Sequence, residues 1–262
     1  MDPTIVTERT RTYSTHKEYT VDFFGDALYV TVTPDFSVIN QWISDVFRNR
    51  NHCGLVVGVG VQWTPPALNV ANPSDCCWKY IFDNMMALAN YAADPLPGDY
   101  VATNTNQRGE FISDPPADTL QLCVGNKCLI IQLRCCDEVP NSLRSFLTDP
   151  ERTFVGVCNS QDARKLARSS HELEIGELVD VMQHVNDSRG MSMEISSFEE
   201  IVEECMGYQG VRLDPDISMS DWTVYDLYDD QILQASLVAY VCHELGVRAR
   251  LWQVGKQVSN KN

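Results

Sequence analysis

The sequence predicts an α/β protein in which helices pack on a mixed sheet. Its first half carries two hairpin patterns, and its second half carries apolar residues at helical spacing. Hairpins followed by crossover helices are typical of a sheet with both antiparallel and parallel neighbours. The chain has 262 residues, of which 44% are hydrophobic and 21% charged, so it is long and apolar enough to bury one large core.

The first hairpin is predicted from a turn between two strand-forming runs. Residues 20–24 and 27–33 flank Gly25-Asp26, and glycine at the first turn position suits a type II′ turn. After an intervening helix comes an apolar strand over residues 55–63, which ends before two prolines. Continuous apolar strands of this kind are buried on both faces of a sheet.

The second hairpin joins residues 119–124 to 127–133 through Gly125-Asn126. Cys123 and Cys128 should therefore lie directly opposite each other on neighbouring strands. Two small buried thiols are the simpler interpretation, and a disulfide is the alternative. A further apolar strand is predicted over residues 153–157.

The helices are predicted from capping residues and from the spacing of apolar side chains. Ser197 and Glu200 form a capping box, with Gly207 as the stop, and Gly246 is expected to end the last helix. The first predicted helix begins at Ser37 and runs through Phe47. Further helices are predicted over residues 141–147, 196–206 and 230–245.

The domain organisation is predicted to be a single domain over residues 19–255, between tails at 1–18 and 256–262. A Pro-, Gly- and Asn-rich insertion interrupts it at residues 67–118, and a helix is predicted within it over residues 80–92. That helix crowds apolar side chains into a short segment. They either pack against the sheet or form an exposed surface for self-association or for a partner.

The charge balance disfavours nucleic acid as a partner. Thirty-six acidic residues against 20 basic ones give a formal charge of -16, which repels a polyanion unless basic residues cluster. Such a cluster is conceivable at Arg248, Arg250, Lys256 and Lys261, and a solvated C-terminus is the simpler interpretation.

The location is predicted to be cytosolic or nuclear, without membrane contact. No apolar run approaches the roughly 20 residues of a membrane span, and no signal-peptide pattern is present. The ten cysteines include no Cys-x-x-Cys pair and the five histidines are scattered, so we expect no structural zinc.

Several stretches, in this order and spacing, resemble the plant Werner-syndrome-like 3′–5′ exonucleases of the DEDDy class. The resemblance implies an RNase H-like fold, with a mixed five-stranded sheet flanked by helices, an N-terminal hairpin, and the insertion after the first core strand. The stretches are Tyr19-Thr-Val-Asp-Phe-Phe-Gly, Leu55-Val-Val-Gly, Thr119-Leu-Gln-Leu-Cys-Val-Gly, Phe154-Val-Gly-Val157, Ser220-Asp-Trp222 and the helix that opens with Gln231.

The resemblance also implies an active site in which four acidic residues hold two magnesium or manganese ions and a tyrosine orients the attacking water. The first two acids of the family fall on Gly60 and Gln62 of this chain. The third falls on Asp162, which is retained. The tyrosine falls on Gln234 and the last acid on Val238, so one metal ligand is left.

We therefore expect a pseudo-exonuclease that acts through a protein partner or through itself, with no cofactor. One alternative is a protein that binds nucleic acid without cutting it. Another is a weakly active nuclease that uses magnesium or manganese held by Asp162, by substrate phosphates and by insertion residues. Those residues would be Asp94, Asp99, Glu110 and Asp114.

Overall fold

The computed structural model describes residues 3–48, 54–65 and 115–253. Eight strands lie in these ranges: β1 (Thr4–Thr12), β2 (Lys17–Phe23), β3 (Asp26–Thr33), β4 (Leu55–Gln62), β5 (Thr119–Val124), β6 (Lys127–Ile131), β7 (Arg152–Gly156) and β8 (Leu178–Asp180). They form one sheet, in the order β1-β2-β3-β6-β5-β4-β7-β8.

The mixed α/β architecture is confirmed. Strands β6, β5 and β4 are antiparallel neighbours, while β7 and β8 run parallel to β4. These five form the core that the resemblance implied, and β3 adds to its edge by pairing parallel to β6. The sheet is wider than predicted because the segment expected to be a loose tail contributes β1, which pairs with β2. The short strand β8 was also not predicted.

Helices cover both faces of the sheet. The helices are α1 (Phe36–Arg48), α2 (Asn141–Leu147), α3 (Asp162–Ala167), α4 (Phe198–Ile201), α5 (Pro215–Ser218) and α6 (Asp229–Arg248). Alternate residues of β4, from Leu55 to Val61, pack with α1 and α2 on one face. Val56, which points the other way, joins the core beneath α6. The strand β4 is therefore buried on both faces, as its apolar sequence predicted.

Helix α6 lies unusually close to the sheet. A Cβ atom at Gly58 of β4 would stand 1.9 Å from the carbonyl oxygen of Ala239 on the helix. A Cβ at Gly246 would stand 2.9 Å from side-chain atoms of Val56 and Val155. The prediction that Gly246 ends the helix is wrong, because the helix continues to Arg248. This glycine allows close packing instead of stopping the helix.

The first hairpin turn differs from the prediction by one residue. Phe23 pairs with Asp26, so Phe24 and Gly25 form the turn, with φ of 56° and 97°. Two consecutive positive φ angles suit a type I′ turn instead of the predicted type II′. The second turn is confirmed at Gly125-Asn126.

Two other local predictions can be compared with the structure. Cys123 pairs with Cys128, and both are free, buried thiols. Helix α1 takes its cap from Asp35 rather than from Ser37, because the Asp35 carboxylate accepts hydrogen bonds from the backbone N–H groups of Ser37 and Val38.

The segment after β8 carries the predicted capping box. The Ser197 hydroxyl accepts a hydrogen bond from the backbone N–H of Glu200. In return, the Glu200 carboxylate accepts a hydrogen bond from the backbone N–H of Ser197. Residues 202–206 continue α4 as a π-helix, and Gly207 ends it with a φ of 80°. No helix in the described ranges is both long and apolar enough to cross a membrane.

The chain divides into two compact units, residues 1–64 with 116–262, and residues 65–115. Nearly all of the second unit lies outside the described residues, and so do the predicted helix over 80–92 and the predicted tail at 256–262.

Candidate active-site positions

The first two positions lie on β4, on the face that α6 covers. Gly58 abuts α6, and side chains alternate along a strand, so Gly60 and Gln62 face the same way. Gln62 is the last residue of β4 and pairs with Thr119 of β5. The two positions therefore lie at the carboxyl end of the central strand.

The next two positions lie one turn apart on α6. Gln234 is buried, and both halves of its amide are engaged. Its Oε1 accepts a hydrogen bond from the N–H of Asp214 at 2.7 Å, and its Nε2 donates to the Ser218 hydroxyl at 2.7 Å. Val238 is half-buried and packs against the apolar core on this face of the sheet. Gln234 thus holds the segment around α5 against α6.

The fifth position, Asp162, is the first residue of α3 and is buried. Burial raises the pKa of its carboxyl group to about 7, with Lys165 acting to lower it and Asp180 to raise it. Burial also raises the pKa of Cys242, and the charges of Asp180 and Asp162 raise it further. Cys242 follows Val238 by one turn of α6, so the charge of Asp162 acts on a group of the same helix.

Lys165 is a positive neighbour of Asp162 that sequence reasoning missed. Its side chain is buried, and its Nζ lies 4.1 Å from the centre of the Trp63 ring, directly after β4. A cation over an indole face is stabilised by the ring quadrupole. The spacing of three residues from Asp162 on a helix was the available signal.

Gln121 is a second residue that sequence reasoning missed. It is fully buried on β5, directly opposite Gly60. Its Nε2 donates to the Thr119 hydroxyl at 2.7 Å, and its Oε1 has no hydrogen-bond partner in the part of the chain that the structure describes. A Cβ at position 60 would stand 2.8 Å from that oxygen. The Gln121 side chain therefore occupies space that a side chain at position 60 would need.

The donor atoms at these positions do not fit a pair of divalent cations. Gly60 and Val238 carry no ligating side-chain atom, and the Gln234 amide is already hydrogen-bonded. Magnesium and manganese need anionic oxygen ligands, of which Asp162 supplies one carboxylate. Within residues 3–48, 54–65 and 115–253, no group of three or more His, Cys, Asp or Glu is placed to hold a metal ion. That the chain is therefore inactive stays a prediction.

The candidate basic residues do not join this site. Arg248 is the last residue of α6, ten residues after Val238, which corresponds to about 15 Å along the helix. Its guanidinium donates to the carbonyl oxygen of Cys205. Arg250 is exposed just beyond the helix, and the two lysines lie outside the described residues, as do the four acidic residues of the insertion.

A mixed sheet in the order β6-β5-β4-β7-β8, with the candidate positions on β4, α3 and α6, defines an RNase H-like fold of the exonuclease type. The 3′–5′ exonuclease family model matches residues 81–253, which are 173 of the 262 residues. The chain belongs to this family. No curated protein sequence matches it.

Solved structures with the same fold are similar to the chain over most of its length. They include RNase D of Escherichia coli (TM-score 0.52, 16% identity, 87% of this chain and 45% of that chain). A second is the Aedes aegypti Nibbler EXO domain (TM-score 0.51, 12% identity, 86% of this chain and 89% of that chain). A third is the Trypanosoma brucei RRP6 catalytic core (TM-score 0.51, 11% identity, 88% of this chain and 48% of that chain). The chain spans about half the length of the RNase D and RRP6 chains. At these identities the likeness shows the fold alone.

Proposed function

We propose that the chain is a pseudo-exonuclease, a degenerate relative of the Werner-syndrome-like DEDDy enzymes that acts by binding a protein partner or itself. One observation carries the proposal: of the five active-site positions, Asp162 alone has a carboxylate. That carboxyl group is buried, and the charges that act on its pKa are those of Lys165 and Asp180, which belong to none of those positions.

The substitutions oppose hydrolysis at each stage of a two-metal reaction. Gly60 and Val238 supply no ligand, and the single carboxylate of Asp162 cannot hold two ions, so no water would be activated and no leaving oxygen stabilised. Gln234 stands where a tyrosine would orient the water, and its amide instead holds Asp214 and Ser218. The loss therefore affects metal binding and water positioning together.

The chain's charge and cysteines support a protein partner inside the cell. A formal charge of -16 disfavours a polyanion, whereas it suits a basic protein surface. The cysteines within the described ranges are free thiols, which suits the reducing cytosol or nucleus.

The test is a nuclease assay on labelled single-stranded RNA and DNA with magnesium or manganese. The unmodified chain should show no 3′ trimming, and Asp162→Ala should change nothing. A variant with Gly60→Asp, Gln62→Glu, Gln234→Tyr and Val238→Asp should regain manganese binding by calorimetry, and with it some trimming. Adding Gln121→Ala to that variant would relieve the contact at position 60.

The proposal fails if the unmodified chain trims either substrate and Asp162→Ala abolishes the trimming. Thermal unfolding of each variant controls for folding, because Gln234→Tyr also removes two hydrogen bonds. The nucleic-acid-binding alternative predicts a different result. An oligonucleotide would then bind without being cut, in a salt-sensitive manner that Arg248→Gln with Arg250→Gln weakens.

A further inference from the structure

A groove lies where β3 and β6 end and α1 begins. Two adjoining pockets of about 350 and 290 Å³ share Ser14, Thr15, Pro34 and Tyr225. Strand β4 ends on the same side of the sheet, three strands away in the order β3-β6-β5-β4. At a strand spacing of about 4.8 Å, the groove lies roughly 14 Å from the degenerate active site. It is therefore a separate feature.

Three exposed aromatic side chains line this groove. Tyr13 is 38% exposed, Phe36 42% and Tyr225 57%. Single exposed aromatic residues are common on protein surfaces, but three around one concavity are typical of a binding site. Aromatic faces attract apolar groups and also cations.

Carboxylates around the groove select between those two kinds of ligand. Asp137 and Glu138 line it, are exposed, and form no hydrogen bond or ion pair within the described ranges. Asp35 also lines it, and a hydrogen bond from the Ser37 hydroxyl lowers the pKa of its carboxyl group, so it is ionised at neutral pH. Two acids are thus available to a ligand beside a third fixed negative charge.

Two of these carboxylates also act on the Cys136 thiol. Its pKa is raised to about 12, mainly by burial and in smaller part by Cys135, Asp137 and Asp35. Asp137 and Asp35 therefore act on one point beside the groove. A positive group bound there would interact favourably with both.

The backbone that carries Tyr225 is held in place. Gln132 is buried, and its Nε2 donates to the carbonyl oxygens of Tyr225 at 2.7 Å and Val224 at 3.2 Å. Lys17 forms an ion pair with Asp226, the next residue along the chain. Gln132 is therefore a positioning residue, which keeps the backbone at Tyr225 beside the groove.

We propose that this groove binds an arginine-containing basic segment of a protein partner. A guanidinium group stacks on aromatic rings and pairs with carboxylates, which are the two kinds of group that the groove presents. A phosphate-bearing ligand would instead meet several carboxylates. The inference rests on the proposed function, in which the chain acts by binding, and it names the surface and the chemistry of the partner.

The test uses the full chain and a short fluorescein-labelled peptide of alternating arginine and glycine, followed by fluorescence anisotropy. Binding should be saturable. The change Tyr225→Ala should weaken it about tenfold, the size of a strong cation–π contact, and Tyr225→Phe should preserve it. The pair Asp137→Asn with Glu138→Gln should weaken it by a similar factor.

The matched control changes charge elsewhere. The pair Glu203→Gln with Glu204→Gln removes two negative charges from exposed positions of the π-helix that continues α4, which does not line the groove. It should leave the affinity unchanged, and a peptide with glutamine in place of arginine should not bind. Thermal unfolding should show that every variant is folded.

Three outcomes would overturn the inference. The first is no saturable binding of the arginine peptide. The second is equal weakening by the groove pair and the control pair, which would indicate general charge attraction. The third is binding of a labelled oligonucleotide, and not of the peptide, in a Tyr225-dependent manner. Metal-dependent trimming by the unmodified chain would contradict the proposed function without changing the groove result.

Discussion

Asp162 carries the one carboxylate among the five candidate active-site positions, and its burial has a measurable consequence. Its carboxyl group is buried beside one lysine and another aspartate, and burial raises its pKa to about 7. A carboxyl group in an unfolded chain has a pKa of about 4. The folded protein therefore keeps the proton over a pH range in which the unfolded chain has released it.

This difference predicts a pH dependence of stability with a definite sign. Because the folded-state pKa of Asp162 is raised, its carboxyl group makes its full contribution to the free energy of unfolding below about pH 4. That contribution decreases as the pH rises to about 7. The free energy of unfolding should fall by on the order of 4 kcal/mol over that range as a result of this group. Urea denaturation at several pH values, in the presence of a chelator, measures it.

The variant Asp162→Asn provides the comparison, because it cannot ionise. Its advantage over the unmodified protein should grow as the pH rises from about 4 to about 7 and then stay constant. The exposed Glu194→Gln should show no such trend. A difference curve for Asp162→Asn that is flat with pH would contradict the prediction.

At the scale of elements, the position of α6 depends on glycines in and against the sheet. A Cβ at Gly58 would meet backbone oxygen of the helix at 1.9 Å, which only a movement of α6 can relieve. A Cβ at Gly60, on the same strand and the same face, would meet the far end of the Gln121 side chain at 2.8 Å. A flexible side chain can move, whereas a helix backbone cannot do so cheaply.

The two glycines therefore form a matched pair of substitutions. Gly58→Ala should reduce the free energy of unfolding by about 3 kcal/mol or more, because it forces two packed elements apart. Gly60→Ala should reduce it by about 1 kcal/mol, and Gln121→Ala should relieve part of that loss. Chemical denaturation of the three single variants and of the variant that combines Gly60→Ala with Gln121→Ala checks this. Equal losses for Gly58→Ala and Gly60→Ala would contradict it.

The elements also show what the sequence can predict. Helix α2 has its predicted bounds, and the Gly125-Asn126 turn is correct, because both depend on local preferences. Strand β8 was not predicted, because three half-buried residues give no periodic pattern. Gly246 was misinterpreted because a glycine near a helix end resembles a stop until the sheet beneath it is known.

The same limit applies to the active-site positions. The resemblance was sufficient to name the five of them, and spacing alone placed Gln234 and Val238 on one face of a helix. Gln121 could not be connected to Gly60, because the two residues are neighbours only through strand pairing. The contact between Lys165 and Trp63 likewise depends on how α3 packs beside the end of β4.

For the whole molecule, the long segment between β4 and β5 begins and ends at nearly the same place. Gln62 pairs with Thr119, and the N–H of Asp118 donates to the Gln62 carbonyl oxygen at 2.9 Å. The Asp118 carboxylate accepts from the N–H of Thr64 at 2.7 Å. Two strands with ends this close need only a short connection.

Replacing residues 66–114 by a short Gly-Ser linker should therefore leave the sheet folded. Residues 65–115 form a compact unit of their own, and the closing hydrogen bonds at Gln62, Thr64 and Asp118 all lie outside the deletion. A shorter loop also costs less entropy to close, about 0.6 kcal/mol for each halving of its length, so the loop itself should stabilise the variant by about 2 kcal/mol. Circular dichroism and urea denaturation would show a retained cooperative transition.

Light scattering of the same two proteins then separates the two interpretations of the insertion. If its apolar segment serves self-association, the unmodified chain should have a larger mass than the deletion variant at equal concentration, and dilution should reduce that difference. If the segment packs on the sheet, both should be monomers, and the deletion variant should lose part of its stability because apolar surface becomes exposed. Loss of the cooperative transition would contradict the prediction, since it would show that the sheet cannot form without this segment.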